Sequence, residues 1–239
     1  MTLQPRVTKQ SEARRQVLDL IERLGVGTAI PSERQLSADL GVSRLTLRAA
    51  LDDLAREGYL VRRRGSGTYI QHPKIAQELT MTSFSEDMRR RGMVPGSRTL
   101  SLARELAGAR LGRALQVSPG DKILVIKRLR LADGETMAIE FLNVPRALLP
   151  TLRRDALEGS SFYTLLQQEG VTIAAGVQTI EPTVTTQEEA EVLGVPLHAP
   201  AFLFERITES DRGEVVEFVR SVYRGDRYRL VTELRPLGR

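Results

Sequence analysis

The chain has 239 residues, of which 41% are hydrophobic and 27% charged, and its formal net charge is +5. This is the composition of a globular protein with room for two ordinary domains. The absence of cysteine excludes disulfides, thiolate metal sites and cysteine nucleophiles. The N-terminus lacks the apolar core of a signal peptide and no later run is long enough to span a membrane, so we expect a cytoplasmic location.

The positive charge is concentrated in the first third of the chain. Residues 1–80 contain 13 Lys and Arg against 9 Asp and Glu, whereas residues 81–239 contain 22 against 21. This asymmetry is expected if the first third binds a polyanion such as nucleic acid. A small domain that happens to be basic explains the asymmetry equally well. The sequence motifs must therefore decide whether this part of the chain binds a polyanion.

Cap residues and apolar spacing predict three short helices near the N-terminus. The third is the clearest, because Ser43 is a good N-cap and Leu47, Leu51 and Leu54 recur on one side of the helix. The predicted bounds are about Ser11 to Leu24, Pro31-Ser32 to Gly41, and Arg44 to about Glu57, with Gly25, Gly41 and Gly58 as stop signals.

The segment after the third helix, YLVRRRGSGTYI, has two β-prone runs joined by a glycine-rich tip and predicts a basic hairpin. Three helices followed by such a hairpin form the layout of a winged helix-turn-helix. Any small α/β module could share this layout. The short turn Gly41-Val42-Ser43 favours the helix-turn-helix, because it fixes the second and third helices at a steep angle.

The rest of the chain predicts a second domain of class α+β with an antiparallel sheet. Strand-like runs flank tight turns at 132–134 and 211–213, which indicates two hairpins. Helices are expected near 107–116, 160–169 and 186–193, the last with a capping box at Thr186 and Glu189. We therefore assign 1–72 to the first domain, 73–97 to a linker with a helix, and 98–239 to the second domain. In the linker, Ser83 and Ser85 carry cap signals and Gly92 is the stop.

A DNA-reading helix needs long polar side chains near its N-terminal end, and arginine is suited to guanine O6 and N7. The spacing places Arg44, Thr46 and Arg48 there, while Ser32 and Ser43 expose backbone N–H groups that favour phosphate. For any single arginine, a solvated surface charge is the alternative. The predicted DNA-binding residues are Ser32, Arg34, Ser43, Arg44, Thr46, Arg48, Arg62, Arg63, Arg64, Gly65 and Gly67. The two glycines would let the hairpin tip approach DNA closely.

The string PSERQLSADLGVSRLTLRAALDDLAREGYL with RRRGSGTYI resembles the GntR family of bacterial regulators, with Leu45 as a minor departure. The strings LTMTSFSEDMRRRGMVPGSR, IKRLRLADGETMAIE, SSFYTLL and VVEFVRSVYRGDRYR resemble the UTRA effector domain of the HutC subfamily. The resemblance implies a sensor fold similar to chorismate lyase. Within the subfamily, these strings are most similar to regulators of N-acetylglucosamine utilisation, which sense amino-sugar phosphates.

The resemblance implies an effector site for a small anion such as glucosamine 6-phosphate or N-acetylglucosamine 6-phosphate. Its implied residues are Phe84, Ser85, Arg128, Arg130, Glu140, Ser161, Tyr163, Glu217 and Tyr223. Arg128 and Arg130 alternate on one strand, so both can face one phosphate. A cross-strand ion pair is the alternative for Arg128 with Glu140. Core packing is the alternative for Tyr163 and Phe84.

These features predict a repressor that binds double-stranded operator DNA as a homodimer, without cofactor or metal. An enzyme of the chorismate-lyase-like fold is an alternative, although His72 and His198 lie in poor settings for catalysis. A second alternative is an architectural binder without sequence preference. Two arginines also fit a dicarboxylate or a nucleotide, so the nature of the anion stays open at this point.

Overall fold

The computed structural model describes residues 9–71 and 73–232. The chain divides into two compact units, Met1–Ile75 and Ala76–Arg239, which are treated separately below. His72, which the sequence places in a linker, lies outside the described residues.

Three helices form the body of the first unit: α1 (Lys9–Leu24), α2 (Glu33–Asp39) and α3 (Arg44–Glu57). Helix α1 begins two residues before the predicted start, while α3 has the predicted bounds. The Ser32 and Ser43 side chains accept hydrogen bonds from the backbone N–H groups of the first turns of α2 and α3. The helices pack around one apolar cluster that contains Val17, Leu36, Leu47, Leu51 and Leu54.

The predicted hairpin is present as strands β1 (Leu60–Arg63) and β2 (Gly67–Ile70), which pair antiparallel. The segment before α2 runs along the other side of β2, with hydrogen bonds between residues 27–30 and residues 68–70. At the tip, Gly65 and Gly67 have φ angles of +73° and +115°, a backbone region that side chains disfavour. The helix-turn-helix therefore carries a wing whose tip depends on glycine.

The second unit is built on a six-stranded sheet in the order β4-β5-β6-β9-β8-β7, with every neighbouring pair antiparallel. Both predicted hairpins are confirmed, since β5–β6 and β8–β9 are joined at 132–134 and 211–213. The strands are β4 (Pro95–Leu106), β5 (Lys122–Ala132), β6 (Glu135–Pro145), β7 (Ile173–Val184), β8 (Pro200–Ser210) and β9 (Val215–Arg224). Sequence analysis did not predict β4, an edge strand in which three leucines stand among polar and small residues and nearly all side chains are exposed or only partly buried.

Short helices cover both faces of this sheet. They are α4 (Phe84–Arg90), α5 (Gly108–Leu115), α6 (Arg154–Leu157), α7 (Phe162–Gln168) and α8 (Gln187–Leu193), with a 3₁₀ turn at Arg146–Leu148. Strands β3 (Ile75–Glu78) and β10 (Tyr228–Val231) form a separate two-stranded sheet. Ser83 caps α4, so the cap signal at Ser85 was wrong: Ser85 lies inside the helix. The capping box of Thr186 and Glu189 is confirmed.

One face of the six-stranded sheet has an apolar half and a polar half, as the register of the strands shows. Leu124, Ile126 and Leu142 share an apolar cluster with Phe162 and Leu166 of α7. Farther along the same strands, the same face carries buried polar residues, which include Thr99, Arg128, Arg130, Glu140 and Ser221. A sheet face normally buries apolar side chains, so this polar half needs a specific explanation.

Helix α3 offers a matched pair for testing its packing. Leu47 is 0% exposed and Leu45, two residues earlier, is 81% exposed. We expect Leu47→Ala to lower the free energy of unfolding by ~2–5 kcal/mol, because it leaves a cavity in the core. Leu45→Ala should change it by less than about 0.5 kcal/mol. Urea unfolding followed by circular dichroism measures both, and equal losses would contradict the orientation of α3.

Candidate functional site

The N-terminal end of α3 presents several of the predicted DNA-binding residues to solvent. Arg44 is exposed at the first helical position, and the Ser43 and Thr46 hydroxyls lie 2.8 Å apart. Ser43 is committed to its cap, since its Oγ also accepts the Thr46 backbone N–H at 3.1 Å. Arg48, one turn later, lies on the same side of the helix as Arg44.

Glu33 at the start of α2 links α3 to the wing. Its Oε2 accepts hydrogen bonds from Arg48 at 3.0 and 2.7 Å, and its Oε1 lies 3.9 Å from Arg62. Arg62 also pairs with Asp52 at 2.6 Å. Two of the predicted DNA-binding arginines are therefore already bound to carboxylates within the first unit.

The other arginines of this surface are differently placed. The Arg63 guanidinium lies 4.4 Å from the centre of the Tyr69 ring, which aligns the side chain along the wing. Arg34, Arg44 and Arg64 are exposed, and none forms an ion pair with any residue in 9–71 or 73–232. These three are the arginines most available to an external anion.

A cleft of about 550 Å³ opens on the polar half of the sheet in the second unit and is lined by residues of α4, β6, β8 and β9. A smaller cavity of about 250 Å³ adjoins it and shares Ser83, Phe84, Glu140 and Arg206 with it. Eight of the nine residues that the resemblance implies for an effector line these cavities, and the ninth, Ser85, contacts Arg130 of the smaller one.

Arg128 and Glu140 are direct partners across β5 and β6 and are both buried. Arg128 donates from Nε at 2.9 Å and from Nη2 at 2.5 Å to Glu140 Oε2. Arg128 lowers the pKa of Glu140 against the opposing effect of burial, so the carboxyl is ionised. The cross-strand ion pair left open by the sequence is therefore present.

Arg130 differs from Arg128 although both are buried on the same face. Its Nη2 donates to Ser85 Oγ at 2.9 Å, and its guanidinium lies 4.7 Å from the centre of the Phe84 ring. Its Nε and Nη1 have no hydrogen-bond partner in the described parts of the chain, and no described carboxylate pairs with it. Burial and the neighbouring Arg128 lower the pKa of Arg130 to about 10, so it remains a cation at neutral pH.

Glu217 is the centre of a second buried group. Its Oε1 accepts hydrogen bonds from the Tyr163 and Thr208 hydroxyls, each at 2.9 Å, and lies 3.5 Å from Arg206 Nη2. Burial raises the pKa of Glu217 and also that of Tyr163, whereas Arg206 opposes the shift in Glu217. Tyr163 is thus neutral and donates to this carboxyl.

Sequence analysis missed Arg206 and Thr208. The signal was the alternation in FLFERITES, which brings Phe204, Arg206 and Thr208 to one face of β8. A register for β8 against β9 was needed to show that this is the face of Glu217.

The remaining predicted residues surround these two groups. Ser161 is buried at the start of α7 and makes no capping hydrogen bond, so its hydroxyl is available. Tyr223 lines the cleft between the rings of Phe204 and Tyr228, whose centres are 4.7 and 4.8 Å away, and burial raises its pKa to about 12.

The described residues contain no cluster of His, Asp and Glu that could hold a metal ion. His198 is exposed in a turn with a φ of +59°. No helix in the described ranges is long and apolar enough to cross a membrane.

A helix-turn-helix with a basic wing, joined to a domain with an internal charged cleft, defines a DNA-binding regulator with a sensor domain. Residues 10–70 match the bacterial regulatory proteins of the gntR family, and residues 90–229 match the UTRA domain. The chain belongs to the GntR family of transcriptional regulators, in its UTRA-containing, HutC-type branch. This is a family of regulators and not of enzymes, which removes the lyase alternative.

Individual relatives are similar over most of the chain. The HTH-type transcriptional repressor NagR of Bacillus subtilis is 38% identical over 84% of this chain and 84% of its own. The HTH-type transcriptional repressor PhnF of Mycolicibacterium smegmatis is 30% identical over 93% and 91%. The crystal structure of PhnF from Mycobacterium smegmatis superposes with a TM-score of 0.79 over 94% of this chain and 100% of that chain, at 28% identity.

The Arg128–Glu140 pair predicts how stability depends on pH. The folded pKa of Glu140 lies below its ordinary value of 4.5, so its ion pair stabilises the fold fully above that pH. This contribution is lost progressively as the pH falls from about 4.5 towards the folded pKa. Glu140→Gln should cost ~3–5 kcal/mol at pH 7, because it leaves Arg128 buried without a counterion.

Urea unfolding of the wild type and of Glu140→Gln between pH 7 and pH 3 measures this dependence, and the difference between the two should shrink below about pH 4.5. Glu181→Gln on the exposed strand β7 is the control and should change stability little at every pH. A difference that stays constant to pH 3 would show that folding does not lower the pKa of Glu140.

Proposed function

We propose that this protein is a repressor whose affinity for operator DNA is controlled by an anionic metabolite, an amino-sugar phosphate such as glucosamine 6-phosphate or N-acetylglucosamine 6-phosphate. The observation that carries the proposal is Arg130, a buried guanidinium with two unpaired N–H groups and no described carboxylate partner. A buried cation without a counterion is costly, so a bound anion would relieve that cost.

The surroundings of Arg130 suit a phosphate group. Arg128, two residues away on the same face, lies in the same cavity as the buried Ser161. Ser85 and Phe84 of α4 contact Arg130 directly and would border the anion. Guanidinium groups bind phosphate oxygens through forked, charge-assisted hydrogen bonds, and hydroxyls can add further donors.

The other end of the cleft suits the polar ring of a sugar. Glu217 and Tyr163 line the smaller cavity with a carboxyl group and a hydroxyl, and Tyr223 lines the adjoining cleft with an aromatic ring. The resemblance to regulators of N-acetylglucosamine utilisation and the 38% sequence identity to NagR support an amino-sugar phosphate as the ligand. A dicarboxylate or a nucleotide could also use Arg130, but neither accounts for the buried Glu217 at the far end.

In the first unit we propose that α3 enters the major groove and that the wing contacts the adjacent backbone or minor groove. Arg34, Arg44 and Arg64 are exposed and have no carboxylate partner among the described residues, and we assign direct base reading to Arg44. Arg48 and Arg62 would contact DNA after exchanging their carboxylate partners. Ser32, Ser43 and Thr46 would place backbone N–H groups near phosphates, and Arg63, Gly65 and Gly67 would set the approach of the wing.

We further propose a homodimer acting in the cytoplasm, where bacterial operator DNA lies. Helix-turn-helix proteins commonly bind two half-sites related by a two-fold axis. Strand β7 forms one edge of the sheet and is exposed along most of its length, with Val177 75% exposed. A second copy covering this edge would remove an exposed strand that isolated proteins avoid.

The DNA proposal predicts different roles for two arginines. Arg44→Ala should cost ~1–3 kcal/mol on the preferred operator and relax the preference at one base pair, because a bidentate contact to a base is lost. Arg64→Ala on the wing should weaken binding to all sequences to a similar degree. Selection from a random DNA library followed by affinity measurement tests both. A uniform loss for Arg44→Ala would reduce it to a phosphate contact.

The effector proposal predicts that Arg130→Met loses binding of the sugar phosphates by ~2–4 kcal/mol while the free protein is as stable as the wild type, because an unpaired buried charge is removed. A thermal-shift panel with both amino-sugar phosphates, their unphosphorylated sugars and unrelated acids provides the measurement.

Lys127→Met is the matched control, since Lys127 is on the same strand but pairs with Glu188 on the other sheet face. It should leave the thermal shifts unchanged. Stabilisation of the wild type by the unphosphorylated sugars alone would contradict the assignment of Arg130 to phosphate.

A further inference from the structure

Leu45, at the second position of α3, is an apolar side chain exposed among charged ones. It is 81% exposed, more than any other large hydrophobic residue in the described parts of the chain. The apolar cluster of the first unit contains Leu47 and has Val42 packed against it, but Leu45 does not belong to it. Packing within the first unit therefore does not account for a leucine at this position.

The helical period places Leu45 on the outer face of α3. Leu45, Arg48 and Asp52 recur at spacings of three and four residues and lie opposite the buried stripe of the helix. Arg48 and Asp52 are held in ion pairs with Glu33 and Arg62. Leu45 is at the N-terminal end of this face, and helical side chains lean towards the start of the helix. That is the end that a recognition helix presents to base edges.

A single exposed leucine is common on protein surfaces and needs no explanation by itself. Leu45 differs from that case because Arg44 and Thr46, its neighbours in the first turn, belong to the surface proposed to contact DNA. A helix that brings Arg44 to a base edge also brings Leu45 into the major groove. An apolar side chain placed against base donors and acceptors displaces their water without replacing its hydrogen bonds, which costs affinity. Leu45 therefore favours a sequence that presents an apolar group at this place.

The C5-methyl group of thymine is the apolar group that base-pair edges present in the major groove. Leucine has neither a donor nor an acceptor in its side chain, so it can distinguish bases only through contact with this methyl group and the exclusion of water from it. Burying one group of this size changes affinity by about fourfold. Such a contact is weaker than a bidentate arginine contact, but it is specific for one base.

We propose that Leu45 is a specificity-determining residue that selects a thymine in each operator half-site through its C5-methyl group. The proposal rests on the proposed function, because it requires α3 to lie in the major groove with Arg44 at a base. The departure of Leu45 from the family pattern then helps to define which operator this protein prefers.

Removing single methyl groups from the DNA tests the proposal without changing the protein. The operator selected from the random library is synthesised with each thymine of one half-site replaced in turn by deoxyuridine, which keeps the base pair and its major-groove acceptor. We expect the affinity of the wild type to fall about fourfold at one of these positions. Fluorescence anisotropy at a fixed salt concentration measures it. If every substituted operator binds as tightly as the parent operator, the proposal is overturned.

The variant Leu45→Ala tests which residue contacts the methyl group. Its side chain is too short to make the contact, so the loss at the sensitive thymine should shrink to less than about twofold. Val26→Ala is the matched control, because Val26 is 51% exposed in the same unit and lies outside the predicted DNA-binding residues. This control should show the wild-type loss. An undiminished loss in Leu45→Ala would assign the methyl contact to another residue and overturn the role of Leu45.

The proposal about Leu45 and the proposed function fail in different ways. A selection that returns no preferred sequence would overturn base reading by α3 as a whole. A preferred half-site without thymine, or one in which all the deoxyuridine substitutions are tolerated, would overturn the role of Leu45 and leave base reading by Arg44 intact.

Discussion

The ion pair between Arg128 and Glu140 lets this sheet carry charge in its interior. Without Glu140, the face of β5 would bury two adjacent guanidinium groups, a cost that is a large fraction of the net stability of most domains. Pairing one of them leaves a single cation, Arg130, which the fold tolerates with a hydroxyl and an aromatic ring as partners. The cleft, its charge and its position at the centre of the sheet all follow from this arrangement.

The same strand register that builds the apolar core also builds the cleft. Leu124 and Ile126 precede Arg128 and Arg130 on one face of β5, and Leu142 follows Glu140 on β6. The apolar half packs rigidly against α7, which fixes the backbone that carries the charged half. Precise placement of charged side chains therefore needs no separate scaffold, because the packed core extends directly into the site.

The local elements were predictable wherever a few neighbouring residues decide the structure. Ser43 and Gly58 bound α3, and the turn residues at 132–134 and 211–213 fixed two hairpins. Strand β4 was not predictable, because an edge strand needs little hydrophobicity and its pairing with β5 is set by tertiary structure. The unpaired N–H groups of Arg130 and Arg206 could not be predicted from the sequence either. Whether an N–H group has a hydrogen-bond partner depends on which side chains the whole fold brings near it.

Glu33 has a consequence for the thermodynamics of DNA association. Arg48 and Arg62 pair with Glu33 and Asp52, so a contact of either arginine with a phosphate would leave a carboxylate that attracts a cation and offsets the ion released from the DNA. The number of ions released on binding should therefore follow the unpaired arginines more closely than the total arginine count, and the dependence of affinity on ionic strength should be shallower than the sequence suggests. An acidic residue inside a basic surface thus moderates non-specific attraction to DNA and leaves relatively more of the discrimination to direct contacts with bases.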